Sequence, residues 1–135
     1  MEVKIMLDTN ICIYIINNKP PNVKEKFLQH DIGSIGLSSI VVSELVYGVT
    51  KSQARAKNTA ALEEFLFDFE IIPFDVDTAY RSGMLKAELE QAGTPIGPYD
   101  VQIAAHALLL NAVLVTNNLK EFKKVKDLKL ENWFW

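Results

Sequence analysis

The segment "KIMLDTN", residues 4–10, runs three consecutive apolar side chains straight into a carboxylate. Ile5, Met6 and Leu7 read as the inner part of a buried strand spanning Val3 to Leu7, and Asp8 ends it without a polar transition. A carboxylate at the edge of a core sheds its hydration, at a cost of several kcal/mol unless a cation or hydrogen-bond donors replace the water. The strand starts the argument about fold, and the aspartate starts the argument about chemistry.

Outward from this segment, strands and helices alternate with short connections. Thr9 caps a helix carrying Ile11, Ile15 and Ile16, which the tandem prolines of "NNKPP" terminate. Val23, Phe27 and Leu28 put an apolar stripe on a second helix, and "IGSIGL" reads as a strand around Ser34 to Leu37. Ser38 or Ser39 caps a third helix that ends near Gly48. From Ser52 a fourth helix carries Leu62, Phe65, Leu66 and Phe69 at spacings of three and four. "EIIPF" is a third strand, and Asp75 caps a long helix to about Gln91, broken by "AGTPIG". Pro98 opens the next helix, through Ala104, Ala105, Ala107 and Leu108 to about Asn111. Val113 to Val115 is a fourth strand and Leu128 to Glu131 a fifth. This order predicts an α/β fold, a three-layer α/β/α sandwich around a mostly parallel sheet of four to five strands. With no repeat, low-complexity tract or linker, residues 1–135 read as a single domain.

Hydrophobic residues are 49% of the chain and charged residues 23%, a globular and not a disordered balance. The uncharged run 101–119 is broken by Gln102, His106, Asn111, Thr116, Asn117 and Asn118, so it reads as helix then strand and not as a membrane span. The N-terminus lacks the pattern of a secretion signal, and the lone Cys12 excludes an internal disulfide and suits a reducing cytoplasm. Net charge of −3 excludes a general pull on phosphate, so any nucleic-acid contact must be local. Lys51, Arg55 and Lys57 form one basic segment, and Lys120, Lys123, Lys124, Lys126 and Lys129 another; taken alone each reads as a solvated helix face.

Two further acids are out of place. In "SSIVVSELVYG" Glu44 is surrounded by Ile40, Val41, Val42, Leu45, Val46 and Tyr47, which predicts a deeply packed helix and a carboxylate cut off from bulk water. In "PIGPYDVQIAAHALLL" Asp100 stands in the first turn of an apolar helix, where it can serve the helix dipole alone. An ion pair with a buried base is the structural alternative for Glu44, yet its helix contains none. Three such acids, remote in sequence and without matching cations, repel one another and oppose folding. A divalent cation removes the conflict, and carboxylate oxygens suit Mg²⁺ or Mn²⁺ better than zinc.

In "LVTNNLKEF" the residues Thr116, Asn117 and Asn118 emerge from the fourth strand, beside Asp8 if the two strands are neighbours. Here the sequence resembles the PIN-domain ribonucleases, and within them the VapC toxins of bacterial toxin–antitoxin pairs. The resemblance spans nearly the whole chain and rests on "MLDTN", "SSIVVSELVYG", "AELEQAGTPIGPYDVQIAAHAL", "LVTNNLKEF" and the closing "LENW", in the family's order and spacing. It implies Asp8, Glu44 and Asp100 as catalytic, metal-binding carboxylates, with Thr9, Asn10 and Thr116 as supporting hydrogen-bond partners. Many relatives place a fourth acid where this chain has Asn118; an amide adds no negative charge, and Glu121 is the nearest residue able to compensate. The resemblance further implies Mg²⁺-dependent attack of water on a phosphodiester of structured RNA, commonly tRNA, leaving a 5′-phosphate and a 3′-hydroxyl. Lys51, Arg55 and Lys120 become backbone contacts under this reading. A cytoplasmic bacterial homodimer and a VapB-type antitoxin follow too, with an apolar patch including Ile11 and Tyr14 as its dock.

The remaining conspicuous residues read as structural. His106 lies six positions after Asp100 and turns away from it; His30 caps a helix end or is solvated; Cys12 is core. Trp133, Phe134 and Trp135 cover the core, and Tyr47 and Tyr99, beside site acids, read as packing residues more than as base-stacking ones. A haloacid-dehalogenase-type phosphotransferase needs a second aspartate where Asn10 stands, and a response-regulator receiver needs a phosphorylatable aspartate for which Asp75 is a poor candidate. A catalytically weak PIN-fold RNA- or protein-binding module is the alternative, kept open by Asn118.

Overall fold

The computed structural model describes residues 2–134. Five strands form one parallel sheet: β1 (Ile5–Leu7), β2 (Ile35–Ser38), β3 (Glu70–Ile72), β4 (Val113–Val115) and β5 (Leu130–Glu131), in the order β3-β2-β1-β4-β5. The connecting helices are α1 (Thr9–Asn17), α2 (Pro21–Leu28), α3 (Ser39–Thr50), α4 (Arg55–Leu66), α5 (Val76–Gln91), α6 (Pro98–Leu110) and the single turn α7 (Leu119–Phe122). The expected α/β sandwich with a parallel five-stranded sheet is thus observed.

Strand order explains where a site can form. The chain steps outward from β1 to β2 to β3, then crosses to the other side of β1 to lay down β4 and β5. Right-handed crossovers put α1 to α4 on one face and α5 and α6 on the other. Accordingly α1 packs on α2 and α3 on α4, while α5 lies along α6. The reversal of direction opens a crevice at the carboxyl ends of β1 and β4. Leu7 pairs with Val115, so the next residues, Asp8 and Thr116, leave the sheet side by side.

The central strands are apolar on both faces because helices cover both, and β2 is buried throughout. Gly36 is closely approached: a Cβ there would stand 2.6 Å from Ile72 Cδ1 and 3.0 Å from Val3 Cγ1, so those side chains would have to shift. Asp75 caps α5 by accepting from Thr78 N, as its position before the helix predicts. Pro98 is the first residue of α6. Among the described residues no helix is long and apolar enough to cross a membrane.

Several local expectations change. The first strand is shorter, beginning at Ile5, and Asp8, not Thr9, caps α1 through a hydrogen bond from Thr9 N. The fourth helix starts at Arg55, so Phe69 falls past its end, yet it is buried against Phe65 and Phe27. Leu28 is exposed. Helix α3 is not deeply packed on all sides: Val41 and Leu45 point inward, while Val46 and Tyr47 lie in solvent. Trp133 is buried, its indole N–H donating to Glu131 Oε1 at 2.7 Å, and the partly exposed His30 stacks on it at 5.0 Å, a contact the sequence reading did not anticipate. Phe134 packs on Tyr14, and Trp135 lies outside the described residues. Ile11 is wholly buried and belongs to no docking patch.

Candidate active site

Asp8 is 6% exposed and held from two sides. Its Oδ1 accepts from the backbone N–H of Thr9 at 2.8 Å and its Oδ2 from Thr116 Oγ1 at 2.8 Å. Thr116 is itself fixed, because its hydroxyl oxygen accepts from Asn118 N at 3.0 Å. Burial still pushes the Asp8 carboxyl above its ordinary range, the two hydrogen bonds offsetting only part of the lost hydration. Donors alone therefore do not answer the cost that the sequence raises at this position.

The two other predicted acids close on the same crevice from α3 and α6. Glu44 is half-buried, not cut off from water, and its Oε1 accepts from Thr9 Oγ1 at 2.7 Å. Thr9 thus links β1's end to α3, its N–H holding one acid and its hydroxyl the other. Asp100, in the first turn of α6, has its carboxyl pushed up to about 6, first by desolvation and then by the negative charges of Asp8, Glu44 and Glu121. Those charges place Asp8, Glu44 and Glu121 each within electrostatic reach of Asp100. Glu121 enters because α7 turns it back toward the crevice, and Lys124 approaches it at 3.4 Å.

Among the described residues that Lys124–Glu121 contact is the one side-chain ion pair, so no base neutralises Asp8, Glu44 or Asp100. The donors are all oxygen atoms, from carboxylates and threonine hydroxyls, with Asn118 close by; this set suits a hard divalent cation better than zinc. As they stand, no three acidic, histidine or cysteine side chains among the described residues are grouped at coordination spacing.

The other residues divide clearly. Thr9 and Thr116 are the acids' partners, as expected, whereas Asn10 is exposed and bonds to none of them. The Asn118 side chain is exposed, and Lys51, Arg55 and Lys120 are exposed as well. Cys12 lies on the buried face of α1, its thiol pushed up by burial and by Asp8. His106 is buried and its Nδ1 lies 2.9 Å from Ser38 Oγ, the cap of α3, with burial lowering its pKa. It is structural, as expected, but as a tie between the two helices that carry Glu44 and Asp100. Sequence reasoning missed that tie and the bond from Asn117 Nδ2 to the Tyr14 hydroxyl at 2.8 Å. Neither leaves a local signal, since each joins residues far apart in the chain.

With this geometry in place, comparison with known proteins is decisive. The PIN-domain pattern matches residues 5–128. A tRNA(fMet)-specific endonuclease VapC from Salmonella typhimurium is 43% identical over 130 residues, covering 96% of this chain and 98% of that protein. The chain belongs to the VapC ribonucleases of the PIN-domain family. Ribonuclease VapC2 from Rickettsia felis is 48% identical over 129 residues, covering 95% of this chain and 96% of the relative. The fold agrees equally well. A chain in the crystal structure of DNA-bound VapBC from Salmonella typhimurium superposes with a TM-score of 0.91 at 43% identity, over 97% of this chain and 98% of that one. One in VapBC2 from Rickettsia felis bound to a promoter fragment gives 0.88 at 44% identity, over 97% and 99%.

Proposed function

We propose that this chain is the toxin of a VapBC-type toxin–antitoxin pair, a single-domain cytoplasmic endoribonuclease that cleaves tRNA with the help of Mg²⁺ or Mn²⁺. The VapC membership carries the ribonuclease activity, and the name of the Salmonella relative supplies tRNA as the substrate class. The complexes in which its structural relatives were solved supply a VapB-type antitoxin as partner. The observation that carries the metal dependence is the raised Asp100 carboxyl, surrounded by Asp8, Glu44 and Glu121 with no base among them.

In this reading Asp8, Glu44 and Asp100 hold the ion. When bound, it supplies positive charge to the scissile phosphate and the leaving oxygen and makes a nearby water acidic. Thr116 and Thr9 fix Asp8, and Thr9 also orients Glu44, so the donor set is oriented before substrate arrives. Asp100 or Asp8 orients the attacking water and receives its proton. Displacement of the ribose 3′-oxygen then leaves a 5′-phosphate and a 3′-hydroxyl. Asn118 offers a neutral oxygen only, which favours one tightly held ion. Lys51, Arg55 and Lys120 contact the RNA backbone. The exposed stripe Val76, Tyr80 and Met84 on α5, one turn apart each, is the face for a second copy of the chain.

The test is antitoxin-free protein with total tRNA and other RNA classes, with Mg²⁺, Mn²⁺ or a chelator. Cleavage that needs the metal, leaves the stated ends and disappears in folded Asp100→Asn protein supports the reading. Intact RNA of every class from folded wild-type protein overturns it and leaves a binding module.

A further inference from the structure

The sequence suggests that Tyr47 and Tyr99 pack, and the structure puts both in water: Tyr47 is 65% exposed and Tyr99 57%. Single exposed aromatics are ordinary and need no account. Tyr47 differs by what surrounds it. It follows Glu44 by three residues on α3, so its ring stands one helical turn from a site carboxylate on the same face. Lys51, four residues further, sets its ammonium 4.5 Å from the ring centroid and 3.4 Å from the phenol oxygen. Among the described residues that lysine makes no ion pair, although the neighbouring crevice holds four acids. The helix therefore presents, in order away from the acids, an aromatic plane and a positive charge unclaimed by any carboxylate.

Nucleic-acid strands are read by such pairs: a ring that takes an unstacked base on its face, and a cation for the adjoining phosphate. A duplex offers no free base face beside its backbone, whereas a loop does. Resting on the ribonuclease reading of the acidic site, we infer that Tyr47 is a stacking platform for one unpaired base next to the scissile bond, with Lys51 steadying the ring and binding the phosphate beyond it. The pair selects for single-stranded loops through binding. Tyr99, adjacent in sequence to Asp100, is exposed as well, but among the described residues no cation stands over its ring, and it carries no part of the inference.

The experiment uses the full chain, Mg²⁺ and a stem-loop RNA with a seven-nucleotide loop that the wild type cleaves, with each loop position replaced in turn by an abasic residue. Tyr47→Ala raises KM about tenfold or more with kcat little changed, and Tyr47→Trp restores KM. One abasic position raises KM for the wild type but adds nothing to Tyr47→Ala, because the base and its platform have already been separated. Lys51→Ala lowers the slope of log(kcat/KM) against log salt by about one. If Tyr47→Ala leaves KM unchanged on every RNA, the platform does not exist, while the ribonuclease reading stands. If Tyr47→Ala instead weakens self-association or antitoxin binding with KM unchanged, the face belongs to a protein partner and the inference falls. Wild-type protein that cleaves no RNA fails the function itself, a different outcome visible before any variant is made.

Discussion

Asp100→Asn should make the metal-free protein more stable while abolishing its activity. In the folded chain the Asp100 carboxyl is pushed from 3.8 to about 6. Between these values the native state binds a proton that the unfolded state releases, so stability falls as pH rises through that window, and the deficit persists above it. For a fully shielded group a displacement of that size corresponds to about 3 kcal/mol. Asp100 is half-exposed, and solvent screening reduces the figure to about 1–2 kcal/mol. Asparagine removes the penalty but also gives up the charge in the first turn of α6, a loss of about 0.3–1 kcal/mol. Repulsion outweighs that loss over most of the range, leaving a net gain of roughly 0–1.7 kcal/mol, or up to about 7 °C in Tm for a chain of this size. The assay is thermal unfolding in chelator at pH 7.5 and again at pH 4, where wild type and variant converge as the acid protonates. A variant melting below wild type at pH 7.5 without metal would refute the electrostatic reasoning.

Three other outcomes follow from the same coordinates. Thr9→Val removes the hydroxyl that orients Glu44 but keeps the N–H that holds Asp8, so kcat should fall about 10–100-fold with restoration in Thr9→Ser, measured on cleaved RNA. Gly36→Ala forces a methyl against Ile72 and Val3 and should cost about 1–3 kcal/mol, read from the urea midpoint at unchanged m-value. Tyr80→Glu puts a charge in the exposed α5 stripe and should shift the chain from dimer to monomer in sedimentation equilibrium, with far-ultraviolet circular dichroism unchanged.

The legible parts of the fold were those with local chemical punctuation. Asp75 and the glycine–proline break bound α5, and Pro98 opens α6, because a cap and a missing N–H act on their own neighbours. Helix α3 was misread for a physical reason: Ile40, Val41, Val42, Leu45, Val46 and Tyr47 leave no polar face, so periodicity cannot say which side is buried. The packing of α3 on α4 and α6 decides it, turning Val41 and Leu45 in and Tyr47 out. In the candidate site, Asp8 was visible because it breaks an apolar strand. Its connection to Thr116 depends on β1 pairing with β4, and Thr9's grip on Glu44 spans 35 residues, so neither could be read locally. Glu121's approach to Asp100 depends on α7, a single turn too short to leave a periodic signal.

The most direct test is titration of Mn²⁺ into metal-free protein, followed by electron paramagnetic resonance of the free ion and by proton release in weak buffer. At pH 6 the wild type should bind one ion tightly and release a fraction of a proton from Asp100, while Asp8→Asn and Asp100→Asn bind far more weakly. Equal binding by wild type and both variants, or none by a folded wild type, would contradict the claim that this acidic crevice is held for a divalent cation.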